Sequence, residues 1–287
     1  MFEHALVAVD LAPSGDILVG CAPELDALGV RRLTLLHVVP VDYPVAGAVA
    51  HIAQYREALE ALAADLRTRG FPVTTDVRHG NPPREILRGA ADVAADLILI
   101  GSRSRSRLRE AFVGSVTLRV LEESHVPVLF LRIEADGDGA EAPLAAFCCP
   151  MDGPILLATD FSPAGEAAAS VAATLARKGE GRPLTVLHAT GGAARGTGPG
   201  PESGREDALE GLASKLRAAG VASVQTRFGD GRPAEAIVAA ASGEDGPLLV
   251  MGCRGQGLLR RVALGSVSRD VIGRIRSPVL LVPEAAE

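Results

Sequence analysis

The chain has no Trp, and only 2 Tyr and 7 Phe among 287 residues. Proteins that hold single-stranded nucleic acid stack bases on aromatic side chains, and this sequence has little with which to do so. It also lacks an excess of positive charge. Residues 1–134 hold 14 basic against 17 acidic residues and the remainder 15 against 18, for a total of −6. Neither half attracts polyanions as a whole, so nucleic acid is not an expected partner. No apolar run approaches the roughly 18–20 residues needed to cross a bilayer, and Met1-Phe2-Glu3-His4 has neither the basic nor the apolar region of a secretory leader. Four cysteines, Cys21, Cys148, Cys149 and Cys253, are too few and too irregularly spaced for a disulfide framework. These absences lead to the expectation of a soluble, cytoplasmic chain in a reducing compartment, without a membrane partner.

What is present is a long internal repeat. Ala5-Leu6-Val7-Ala8-Val9-Asp10 is answered by Ile155-Leu156-Leu157-Ala158-Thr159-Asp160, and Leu35-Leu36-His37-Val38 by Val186-Leu187-His188-Ala189. Leu97 to Gly101 is answered by Leu248 to Gly252, and the apolar run 127–132 by 278–283. A period near 150 residues is far too long for a solenoid and marks a duplicated domain. Within each half, short apolar runs alternate with helical patterns, the signature of buried parallel strands joined through helices. Ile52, Tyr55, Leu59, Leu62 and Leu66 share one helical face, as do Leu209, Leu212 and Leu216, and Gly70 and Gly220 follow where a helix C-terminus takes a left-handed residue. The pattern predicts an α/β chain with five strands and four helices per half: a domain over 1–134, a linker over 135–152 and a second domain over 153–287. The stretch from Gly191 to Gly204 reads as a loop.

The segment richest in chemistry is Gly252-Cys253-Arg254-Gly255, followed after nine residues by Gly265-Ser266. It follows a buried strand and precedes a helix, at the end of the sheet where such folds bind ligands. Glycines let backbone approach a phosphate, and the amides and dipole of a helix N-terminus favour an anion. Arg254 adds a fixed charge, and Ser266 can cap the helix or donate to phosphate. A tight strand-to-helix connection without a ligand would need similar glycines.

In this segment the chain resembles the universal stress protein family, tandem type, whose nucleotide-binding members carry G-x-x-G, nine residues, then G followed by Ser or Thr. The resemblance spans nearly the whole chain. It implies two tandem, doubly wound, Rossmann-like five-stranded parallel sheets whose terminal strands pair between domains as an intramolecular pseudo-dimer; a homodimer is left open. It implies an adenine nucleotide, ATP or AMP with or without Mg, near Asp160, Ser162 and Ala189, with Gly252 and Gly255 at the ribose and phosphates and Gly265, Ser266, Val267 and Ser268 receiving phosphate oxygens. The first half matches less well. Ser104 stands where the second glycine belongs and Ala12 where Ser162 lies, so Asp10, Val38, Gly101, Gly114 and Ser115 form a weaker second site.

His37 and His188, at equivalent strand ends, have no paired Ser, Cys or metal-ligand cluster beside them, and they read as structural; no catalytic or metal-ligating residue is expected. Arg103, Arg105, Arg107 and Arg109 read as a solvated loop, and Cys148-Cys149 as an inert pair in the linker. Cys253, beside Arg254 and a helix start, is expected to have a lowered pKa. The function implied is that of a nucleotide-binding stress-response sensor or regulator acting through a protein partner. The alternatives are a weak ATP-hydrolysing enzyme, against which stands the lack of a Walker-type lysine loop, and a nucleotide-free interaction module.

Overall fold

The computed structural model describes residues 2–11, 18–41, 45–104, 113–134, 151–178, 181–189, 202–242, 246–255 and 264–284. The chain divides into two compact units, Met1–Pro150 and Met151–Glu287. The linker residues 135–150, with Cys148 and Cys149, lie outside the described residues, as do Arg105, Arg107 and Arg109.

The first unit contains β1 (His4–Ala8), β2 (Arg32–Pro40), β3 (Val73–Gly80), β4 (Leu97–Ser104) and β5 (Val128–Glu134), with α1 (Val45–Thr68), α2 (Pro82–Asp92) and α3 (Ser115–Glu123). Its strands run parallel in the order β3-β2-β1-β4-β5. The second unit contains β6 (Ile155–Ala158), β7 (Leu184–Ala189), β8 (Val224–Gly229), β9 (Leu248–Gly252) and β10 (Val279–Val282), with α4 (Pro163–Ala176), α5 (Glu202–Ala218), α6 (Pro233–Ala240) and α7 (Ser266–Arg274). Its strands repeat the order as β8-β7-β6-β9-β10. In both units the chain reverses its winding direction at the first strand, which opens a crevice at the C-terminal strand ends.

The central strands are buried on both faces, which is why His4–Ala8 and Leu248–Gly252 read as nearly unbroken apolar runs. Helices α1 and α5 bury Leu59, Ala63 and Leu66, and Leu209, Ala213 and Leu216, on matching faces. Each ends in a left-handed glycine, Gly70 at φ 90° and Gly220 at φ 92°. The repeat extends to side chains. Arg67 and Arg217 each donate to the carbonyl that opens the next strand, of Val73 and Val224, and each pairs with a glutamate seven residues earlier.

Three departures from the sequence reading have local causes. After the first helix of the first half, of which residues 18–20 are described, a 3-10 helix that the sequence does not predict spans Ala22–Leu28. Pro23 cannot donate a backbone hydrogen bond, and the i to i+3 bonds Cys21 N–H to Leu18 O and Glu24 N–H to Cys21 O take over. Second, α5 begins at Glu202, so the loop reading carried to Gly204 was too long; residues 190–201 lie outside the described residues. Third, β4 includes Arg103 and Ser104, so the arginine-rich segment starts in a strand rather than a loop.

Candidate functional site

At the end of β6 the chain makes a tight turn built by its own side chains. Thr159 Oγ1 accepts from the Phe161 N–H at 3.0 Å, and Asp160 Oδ1 accepts from the Ser162 N–H at 3.0 Å. Between them Phe161 is held at φ 60°, a region bulky residues avoid. Leu11, its counterpart in the first unit, is at φ 49°. Ser162 then caps α4, accepting the Gly165 N–H at 3.2 Å, while its hydroxyl donates to the Arg254 carbonyl at 3.3 Å. Its role here is to tie the β6 turn to the turn after β9. It is 2% exposed and does not line the cavity.

The turn after β9 is shaped by close packing. A Cβ on Gly252 would lie 2.8 Å from the Ala164 carbonyl carbon, at the start of α4, and one on Gly255 would lie 2.7 Å from Asp160 Oδ2. Neither glycine has positive φ, so it is space and not backbone handedness that requires them. The Gly265 N–H donates to the Cys253 carbonyl at 2.9 Å and the Ser268 hydroxyl to the Gly252 carbonyl at 3.0 Å, fixing α7 against the turn. The first intrahelical bond of α7 is Arg269 N–H to Gly265 O, so the Ser266, Val267 and Ser268 amides precede the ladder. Gly265 occupies the N-cap without a side-chain bond. The capping role open to Ser266 is thus not used, and its hydroxyl is exposed.

These elements enclose a cavity of about 630 Å³ at the C-terminal ends of β6, β7 and β9. Every residue expected at the stronger site lines it except Ser162. Its lining combines the apolar side chains of Leu187, Ile237, Met251 and Leu264 with Asp160, Arg254, Arg269 and the first turn of α7. The sequence reading missed Arg269 and the α6 wall of Pro233 and Ile237. The signal for the latter was in the repeat, since Pro82 and Ile86 take the same place in the first unit.

A model of the universal stress protein family matches residues 1–132 and again 151–283. The chain belongs to the universal stress protein family. A universal stress protein of Mycolicibacterium smegmatis is 28% identical over 296 residues, with 96% of each chain covered, so the tandem arrangement is shared end to end. The universal stress protein in the QAH/OAS sulfhydrylase 3′ region of Thermus aquaticus is 41% identical over 134 residues, covering 45% of this chain and 96% of its own. The crystal structure of a universal stress protein from Archaeoglobus fulgidus superposes with a TM-score of 0.79 at 22% identity, covering 98% of both chains, which shows a common fold.

The two universal stress protein units differ at the site. In the first, β4 does not turn at Gly101 but continues beside β5, pairing Ser102, Arg103 and Ser104 with Arg132, Ile133 and Glu134. In the second, β10 ends at Val282 opposite Gly252 and is followed by Pro283, which has no amide to continue a ladder. The first unit keeps a cavity of about 540 Å³, lined by Asp10, Val38, Gly101 and Gly114, whereas Ser115 does not line it.

Both repeated histidines are buried, and each Nδ1–H donates at 2.8 Å to a carbonyl after the first strand, of Val9 or Thr159. Burial lowers the His37 pKa, which keeps the ring neutral. Cys253 runs against expectation. It is 4% exposed, and burial pushes its thiol pKa up more than Arg254 lowers it, so it is an inert thiol. Cys21 is disulfide-bonded, a departure from the fully reduced chain expected in a reducing compartment. No helix among the described residues is long and apolar enough to cross a membrane.

Proposed function

We propose that the second unit binds an adenine nucleotide, ATP or AMP, and that its occupancy sets the interactions of this universal stress protein as a cytoplasmic stress-response regulator. The observation that carries this reading is the convergence on one cavity of the α7 N-terminus, the Gly252–Gly255 turn and the Arg254 and Arg269 residues, together with apolar side chains in the same lining. Amides at a helix start carry partial positive charge and accept anionic oxygens without rearranging, and the two guanidinium groups add charge where phosphates would lie. The apolar side chains of Leu187, Ile237 and Met251 suit a flat heteroaromatic ring. Ser266, exposed at the first position of α7, is the hydroxyl placed to donate to phosphate. Ser268 contributes its amide, since its hydroxyl is committed to Gly252. The nucleotide supplies the negative charge and the ring; the protein binds and orients, and no catalytic step is assigned to it.

Denaturing the purified chain and identifying released small molecules by mass spectrometry tests this reading, followed by calorimetric titration of the stripped, refolded chain with ATP and AMP. A released adenylate, or binding of either nucleotide, is expected. Absence of both would favour a nucleotide-free interaction module, and steady phosphate release from ATP would favour hydrolysis.

A further inference from the structure

A divalent cation beside the nucleotide would need oxygen donors that the second unit does not supply. Mg²⁺ takes a near-octahedral shell at about 2.0–2.1 Å, and next to a nucleotide it is held by phosphates, waters and roughly one or two carboxylates. Among the described residues lining the cavity, Asp160 is the one carboxylate. Its Oδ1 accepts from the Ser162 N–H at 3.0 Å, and a Cβ on Gly255 would lie 2.7 Å from its Oδ2, so backbone stands against both oxygens. Turning toward a hydrated cation would release the Ser162 amide that sets the start of α4. Asp270 on α7 and Glu284 beyond β10 are exposed and do not line the cavity.

The segments that follow the strand ends have the opposite composition. From Gly252 to Arg269 the chain carries Arg254, Arg260, Arg261 and Arg269 and no Asp, Glu or His. Residues 190–201, directly after β7, add Arg195 and again no acid. Arg195, Arg260 and Arg261 lie outside the described residues, and the composition alone says that these segments hold no carboxylate for a hard cation. Arg254 and Arg269 line the cavity together with Ser266, Val267 and Ser268, whose amides precede the α7 ladder. Two fixed charges and the roughly half charge of a helix start thus stand where Mg²⁺ would neutralise phosphate. Guanidinium groups and Mg²⁺ compete for the same phosphate oxygens, and the cation repels the arginines across that distance.

From this donor set we infer that the second unit takes its nucleotide free of divalent metal, arginine charge and helix amides standing in for Mg²⁺, and so selects the metal-free ATP anion over the Mg–ATP chelate. The inference rests on the nucleotide reading above and goes beyond it in naming the ionic form that is bound.

Calorimetric titration of the full chain with ATP, in EDTA and in excess MgCl₂ at matched ionic strength, tests it. ATP should bind about tenfold more tightly in EDTA, the size expected when a doubly charged cation is kept away from two arginines in a partly solvated site. AMP chelates Mg²⁺ weakly and should change by less than about threefold, which separates chelation from a general salt effect. Arg269→Gln, at an exposed position on α7, should weaken metal-free ATP by about tenfold and bring the ratio between the two conditions toward unity. A second measurement on the unaltered chain uses Mn²⁺ as the reporter: adding the chain to Mn–ATP should raise the electron paramagnetic resonance signal of free Mn²⁺. ATP binding as tight or tighter with Mg²⁺, an equal shift for AMP, or a fall in free Mn²⁺ overturns the inference and leaves the nucleotide reading standing. If neither ATP nor AMP binds in either condition, both fall.

Discussion

Replacing Gly255 by Ala places a methyl group 2.7 Å from Asp160 Oδ2, where ordinary contact begins at 3.4 Å. The carboxylate cannot simply swing aside, because its Oδ1 holds the Ser162 N–H that sets the start of α4. Overpacking of this kind costs about 1–3 kcal/mol. Gly255 has no positive φ, so Ala also restricts the unfolded chain and returns about 0.4–1 kcal/mol. The net loss is on the order of 1–2 kcal/mol. With Asp160→Ala as background the contact disappears and only the entropic gain remains, so the same Gly255→Ala change should stabilise by about 0.4–1 kcal/mol. A double-mutant cycle by urea denaturation, followed by circular dichroism without ligand, measures both. The sign reversal is the signature. Equal losses in both backgrounds, or no loss in the parent chain, would refute the steric explanation for glycine at this position and for the divergence at Ser104.

Ser266→Ala should weaken ATP binding by roughly 10–150-fold in calorimetry, the effect of removing one hydrogen bond of ~1.5–3 kcal/mol to a charged group. Ser162→Ala should instead lower stability by about 0.5–2 kcal/mol through loss of the α4 cap, leaving ATP affinity within about threefold. His4 and His37 both have pKa values lowered by burial in the folded chain, so the unfolded chain binds more protons just below the ordinary histidine value; stability is full above about pH 6.5 and falls as pH drops toward the folded values, a slope that His37→Gln should reduce. Cys253, with its raised pKa and 4% exposure, should react with iodoacetamide at pH 7 more slowly than the same thiol in urea.

The alternation of strands and helices, the buried faces of α1 and α5 and their terminal glycines follow from periodicity and were legible, because each depends on residues within a few turns of one another. The glycine turn was legible as a motif but not in its cause. Gly255 is required by Asp160, which only the parallel pairing of β6 and β9 brings alongside it. Ser162 looked like a contact for a ligand because its hydroxyl's partners, the Gly165 amide and the distant Arg254 carbonyl, are set by the fold. The strand extension in the first unit had a local sign that went unused: Arg132 can continue a ladder and Pro283 cannot. For Cys253 the neighbouring charge was visible in sequence, while the burial that outweighs it was not.

The central claim is an asymmetric pair of units with one nucleotide site, and calorimetric titration of the full chain with ATP tests it most directly when read for stoichiometry. The account predicts one ATP per chain, with binding lost in Gly255→Val, where a branched side chain is forced against Asp160 and the turn that faces the α7 amides, and retained in Ser115→Ala. Two equal sites per chain, or undiminished binding by Gly255→Val, would contradict it.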